Sequence, residues 1–224
     1  MLPVLAQLRE QLRHFADETH TAWNVVSSGH RALDAILPAG GFRGGTLIEW
    51  LAAEHGVGAT ALAFQAAREA MRGGRPLVVV DQAGHFFPPA LSMDFDRNHL
   101  LLVRTPRAVD ADWACDQALR TSGMGAVLTW LDVCDERRLR RWQLAAERSG
   151  ALGLIVRHLS HQPEACFSDV RMLVTSLGAE GRRVRLELLR TRQGRPGAVA
   201  EVSLDDDTHL MSATAASRRR AIAS

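Results

Sequence analysis

The chain has 224 residues with 46% hydrophobic and 23% charged content and a net charge of +2. That composition suits one α/β domain with short appendages and excludes nucleic-acid binding driven by bulk charge. All 27 basic residues are arginine, so no lysine exists to reach β- and γ-phosphates or to form a Schiff base. No apolar run is long enough to span a bilayer. The three cysteines, Cys115, Cys134 and Cys166, form neither a metal spacing nor a disulfide frame. A cytoplasmic protein without membrane, metal or cofactor is the expectation.

In chain order, residues 3–16 predict an amphipathic helix from Leu5, Leu8, Leu12 and Phe15. The acidic residues at this end argue against a signal peptide. Ser28 is a candidate cap for a short helix carrying Leu33, Ile36 and Leu37. Residues 38–45, with four glycines, read as a loop. "TLIEWLA" reads as a strand, "TALAFQAAREAMRGG" as a helix closed at Gly73, and "PLVVVD" and "HLLLVRT" as strands buried on both faces. "ADWACDQALRTSG" reads as a helix closed by Gly123, "GAVLTWL" as a strand, residues 135–150 as a helix between Asp135 and Gly150, and "LGLIVRHL" as a strand. Strands alternating with helices predict a mostly parallel sheet covered on both sides.

The last third changes character. "MLVTSLG", "RRVRLELLRTR" and "AVAEVSLD" follow one another with turns only, so the sheet is expected to end in antiparallel strands. Val184, Leu186 and Leu188 alternate at strand period, and residues 193–197 form the hairpin turn. Asp205–Asp207 end the last strand, and residues 211–224 read as a flexible basic tail. The expected organisation is an N-terminal helix and linker over 1–27, a core over 28–210 and the tail.

Residues 51–62, "LAAEHGVGATAL", lie between a strand and a helix, where a phosphate-binding loop G-x-x-x-x-G-K-[ST] would lie. The frame reads Ala53-x-x-x-x-Gly58-Ala59-Thr60, so glycine and threonine are present and the lysine is an alanine. Gly56, Gly58 and Thr60 can shape such a loop, and the following helix N-terminus attracts anions. Ala59 removes the charge that the chemistry needs.

"SSGHRALDAILPAGGFRGGTLIEWLA" and the stretch from "VVVDQAGHFFPP" to "GMGAVLTWLD" resemble the RecA core in the order of their elements. Within that superfamily, "RLRRWQLAAERSGALGLIVR" and "VRLELLRTRQGRPG" are similar to the ImuA family. The resemblance covers about residues 28–205 and implies a RecA-like core. In RecA a glutamate two or three residues past the position of Asp81 orients the attacking water; Ala83 and Gly84 stand there in this chain. An ungapped match puts Leu131 at the metal-supporting acid, with Asp132 one place later. With lysine, water-orienting acid and metal acid missing or displaced, the loop is expected to be a remnant that hydrolyses no ATP. The two candidate DNA-binding stretches, after Trp130 and over 160–171, are short and not basic.

The ImuA resemblance implies a non-catalytic accessory protein of damage-induced translesion synthesis. It would pair with ImuB, an inactive Y-family polymerase relative, and through it with an error-prone C-family polymerase. RecA is a further partner implied by the shared fold, and direct DNA contact stays open. A SulA-like inhibitor of FtsZ is the alternative, and a weakly active RecA-like ATPase a third. On helix 135–149, Leu139, Trp142 and Ala146 should face the sheet, while Arg137, Arg141, Leu144 and Arg148 share the opposite side. That side is either a solvated face or a partner surface. Arg190 and Arg192, where RecA relatives place basic residues that reach a neighbour's nucleotide, are interface candidates, as are Arg218, Arg219 and Arg220 in the tail. The plain alternatives are surface arginines beside a turn and a solubilising end.

Overall fold

In the computed structural model, residues 24–88, 91, 95–132, 135–159, 168–178, 183–192 and 194–204 are described. The readings of helix 3–16, Cys134, Cys166, Asp205–Asp207 and the tail with Arg218–Arg220 lie outside them. So does most of the 160–171 stretch.

The main sheet has eight strands in the order β10-β9-β8-β3-β7-β6-β4-β5. They are β3 (Leu47–Ala52), β4 (Leu77–Val80), β5 (Leu100–Val103), β6 (Ala126–Trp130), β7 (Leu152–His158), β8 (Val170–Ser176), β9 (Arg183–Thr191) and β10 (Val199–Ser203). The expected α/β architecture is present: a mostly parallel sheet between helices, closed by antiparallel strands. One detail differs. β8 was grouped with the antiparallel end, but it pairs parallel to β3, Ile48 opposite Val170; the antiparallel pairings are β8–β9 and β9–β10, with β9 running against the other strands.

Each face of the sheet holds its own core. On β4, Leu77 and Val79 point into the first, and Val78 and Val80 into the second. This is why the strand is apolar throughout: alternate residues face opposite sides, and both sides are covered. Helix α2 (Ala59–Ala70) covers the first face and is buried at every position except Thr60 and Arg68. Its six alanines let the helix axis approach the sheet closely.

Helices α3 (Ala108–Arg120) and α4 (Glu136–Ser149) cover the second face. The Asp135 carboxylate caps α4 by accepting the Arg137 N–H at 3.1 Å. Gly150 ends it at φ 81°, a left-handed turn that glycine adopts without steric cost. Leu139, Trp142 and Ala146 are buried, and Arg137, Arg141, Leu144 and Arg148 are exposed, as the helical phase requires.

Two local readings are corrected. Ser28 does not cap the short helix α1 (Arg31–Ile36); His30 holds that position, without a side-chain capping bond to the helix end. Asp34 instead reaches back, accepting the Ser28 N–H at 2.7 Å and the Ser27 hydroxyl at 2.6 Å. The glycine-rich stretch is not all loop: β1 (Val25–Val26) pairs antiparallel with β2 (Phe42–Arg43).

Candidate functional site

The carboxyl ends of β3, β6 and β7 open onto a cleft of about 360 Å³, the crevice position that open α/β sheets use for ligands. Residues 54–61 form one wall, His85, Phe86 and Phe87 a second, and Trp130, Asp132 and His158 a third. Gly56, Gly58, Ala59, Thr60 and Asp132, five of the sequence candidates, meet here.

Gly58 sits at φ 96°, a left-handed conformation that favours glycine, and the tip of the Leu204 side chain lies 2.5 Å from where a Cβ would be. Ala59 is 3% exposed and turned into the core. The Thr60 hydroxyl, the group that would ligate Mg²⁺ in a working loop, accepts a hydrogen bond from the Trp130 indole N–H at 3.2 Å. Trp130 is thereby the residue of β6 that faces the loop. Ala126 and Leu128 share its side of the strand, while Val127 and Leu131 pack on the other. By alternation Asp132 returns to the cleft side, but past the end of the strand and exposed. The indole of Trp130 thus engages the Thr60 hydroxyl, with Asp132 lining the same cleft.

Asp81 has a different role from that of its position in an active site. It is 1% exposed and accepts the backbone N–H groups of His85 (2.8 Å) and Phe86 (3.1 Å). It is an anchor for the 82–87 loop. That loop stacks Phe86 on Phe64 with ring centres 5.2 Å apart, and leaves Phe87 64% exposed at the cleft mouth. The His85 ring lies 5.8 Å from that of Trp130, and His55 stacks on His158 at 4.6 Å. Neither histidine stacking nor the aromatic wall was legible in the sequence, because the partners are far apart along the chain. Among the described residues the cleft is apolar and aromatic, with Glu54 and Asp132 as its carboxylates and Arg157, turned inward to Glu49, as its arginine.

The remaining candidates lie elsewhere. Arg190 and Arg192 sit at the end of β9 that pairs with the start of β8, at the opposite end of the sheet from the cleft. Arg190 is exposed. Arg192, also exposed, pairs with Glu147 and with Asp169, 3.3 Å away. Asp169 also accepts the Leu47 N–H at 3.1 Å and the Gln143 amide at 3.0 Å.

Burial nonetheless pushes the Asp169 carboxyl above the usual aspartate range. The folded chain therefore holds that proton at pH values where the unfolded chain has lost it. Its contribution to stability falls as pH rises from the ordinary aspartate range to the raised folded value. Asp169→Asn is expected to flatten that part of the profile, read as urea midpoints between about pH 4 and pH 7. An unchanged slope would place the titration on another group. Cys115 is pushed up to about 12 by burial and is not a nucleophile. Among the described residues, no group of His, Cys, Asp and Glu could hold a metal ion, and no helix is long and apolar enough to cross a membrane.

The chain is similar to proteins named ImuA. Those from two strains of Caulobacter vibrioides are each 28% identical to it over a 203-residue match, covering 80% of this chain and 83% of theirs. No family model matches the chain. The ImuA similarity extends over far more of the chain than the loop and its cleft, so it concerns the domain as a whole.

Proposed function

We propose that this chain is a non-catalytic accessory protein of damage-induced translesion DNA synthesis, acting as ImuA proteins do in recruiting a polymerase-like partner. That partner is an ImuB-like inactive relative of Y-family polymerases, which in turn engages an error-prone C-family polymerase. RecA is the further contact, through a shared fold. The similarity to ImuA proteins over 80% of the chain supports the pathway.

The observation that supports the non-catalytic part is the hydrogen bond from Trp130 to Thr60, beside an alanine where the lysine belongs. Phosphoryl transfer needs charge neutralisation, a metal and an oriented water together. In this cleft the metal's hydroxyl ligand is already engaged, the cation is missing, and Asp81 is buried in loop contacts. The RecA-like ATPase reading is correspondingly the weaker one.

The purified protein is expected to release no phosphate from ATP·Mg²⁺ above buffer, with or without single-stranded DNA. Ala59→Lys alone is expected to change nothing, since it supplies neither metal site nor water-orienting acid. A turnover rate in that variant near those of ordinary RecA relatives would overturn the account. In cells, deletion of the gene is expected to lower ultraviolet-induced mutation frequency, and a Thr60→Ala copy to restore it fully. Loss of division arrest without any change in mutagenesis would favour the FtsZ-directed alternative.

A further inference from the structure

The outward face of the α3–α4 pair presents large apolar side chains that no described residue covers. Trp113 is 65% exposed and Val109, one turn before it on α3, 63%. The same helix buries Cys115 and Leu119 on its inner side, so Trp113 is not a core residue displaced by a poor phase. On the adjoining helix Leu144 is 39% exposed, in a stripe with Arg137, Arg141 and Arg148. An exposed tryptophan with aliphatic neighbours is the composition of an interface centre, and arginines beside it are the usual rim.

The charges of this face decide what fits it. Arg141 locks the two helices together through Asp112 at 2.6 Å and Asp116 at 3.1 Å. Arg120 and Arg107 are likewise held by Asp116 and Asp110. Arg137 and Arg148 have no ion-pair partner among the described residues. They stand eleven residues apart along α4, roughly 16 Å at the helical rise. A phosphodiester strand laid here would meet the carboxylates of Asp110, Asp112 and Asp116, which already engage Arg107, Arg120 and Arg141. A protein segment with separate acidic groups at its ends and an apolar middle matches both features.

The geometry points to the α3–α4 face as the docking site for an amphipathic acidic segment of a partner protein. An aliphatic or aromatic side chain packs on Trp113, and carboxylates pair with Arg137 and Arg148. The inference rests on the proposed function for the identity of that partner, the ImuB-like polymerase relative.

The test uses the full-length chain and the purified ImuB-like protein encoded in the same genome, with affinity measured at low and moderate salt. Trp113→Ala is expected to weaken binding on the order of 30-fold at both salts. Arg137→Glu with Arg148→Glu is expected to weaken it most at low salt, since the charge contribution is screened as salt rises. All variants should melt with the wild type, the altered side chains being exposed. Wild-type binding that these variants leave unchanged overturns the inference and leaves the proposed function standing. No wild-type binding at either salt overturns both. If Trp113→Ala instead abolishes binding to a single-stranded oligonucleotide, or turns a dimer into a monomer in sedimentation, the occupant is nucleic acid or a second copy, and the inference fails.

Discussion

Replacing Glu49 with alanine is expected to lower the free energy of unfolding by about 3–5 kcal/mol, against a typical total of about 5–15 kcal/mol. Glu49 lies on β3 at the centre of the sheet, with Arg157 of β7 at 3.5 Å and Arg171 of β8 at 3.2 Å. All three residues are buried. A guanidinium cannot shed its proton to relieve burial, as a lysine can, so deleting the carboxylate removes the counter-charge that two permanent charges share in the interior. Glu49→Gln keeps the volume but not the charge and is expected to cost nearly as much. Replacing all three residues with apolar groups of similar size is expected to recover a good part of the loss, because the triad's own desolvation disappears with it. Urea midpoints of the single and triple variants decide the matter. A single variant within about 1 kcal/mol of wild type would show that water or another group already screens the arginines.

Trp142→Ala is expected to cost about 3–5 kcal/mol, the usual range for removing a large aromatic side chain from a packed core. Trp142 is 1% exposed on the inner side of α4, in one cluster with Leu139, Ala146 and Ile155. Its indole N–H has no hydrogen-bond partner among the described residues. Trp142→Phe therefore removes an unsatisfied donor along with some volume, and should cost only about 1 kcal/mol. The two substitutions together separate packing from polar burial. Equal losses in both variants, measured by denaturant titration, would mean that the N–H finds a partner in solution. Trp113→Ala serves as the exposed control in the same series.

What was legible in the sequence was what local physics determines. The caps of α4 at Asp135 and Gly150, its buried phase, and the alternation of Val184, Leu186 and Leu188 all follow from residues within a few turns of one another. The parallel pairing of β8 with β3 did not, since register between strands over a hundred residues apart leaves no local trace. The two-residue β1–β2 pair was hidden by its glycines, and α3 begins at Ala108, earlier than its apolar pattern. For the site, the loss of the lysine was visible as a letter. That Trp130 engages the threonine hydroxyl was not, because the contact joins residues 60 and 130. Nor could the sequence reveal that Trp113 would face outward, since an aromatic in an amphipathic helix is more often core.

The strand order also bears on how the chain reaches this state during synthesis. β3 is the first strand of the large sheet to leave the ribosome, yet its two neighbours are β7 and β8, residues 152–158 and 170–176. Until those emerge, the N–H and C=O groups along both edges of its backbone, and the carboxylate of Glu49 upon it, stay without their final partners. β4 and β6 can pair earlier, but the centre closes only when most of the chain is made. Long-range closure of this kind folds slowly and exposes strand edges to other chains meanwhile. A transcript cut short before residue 170 would yield a polypeptide with an open central edge, prone to aggregate and dependent on chaperones, whereas one that ran to Leu204 would hold every described strand of the sheet.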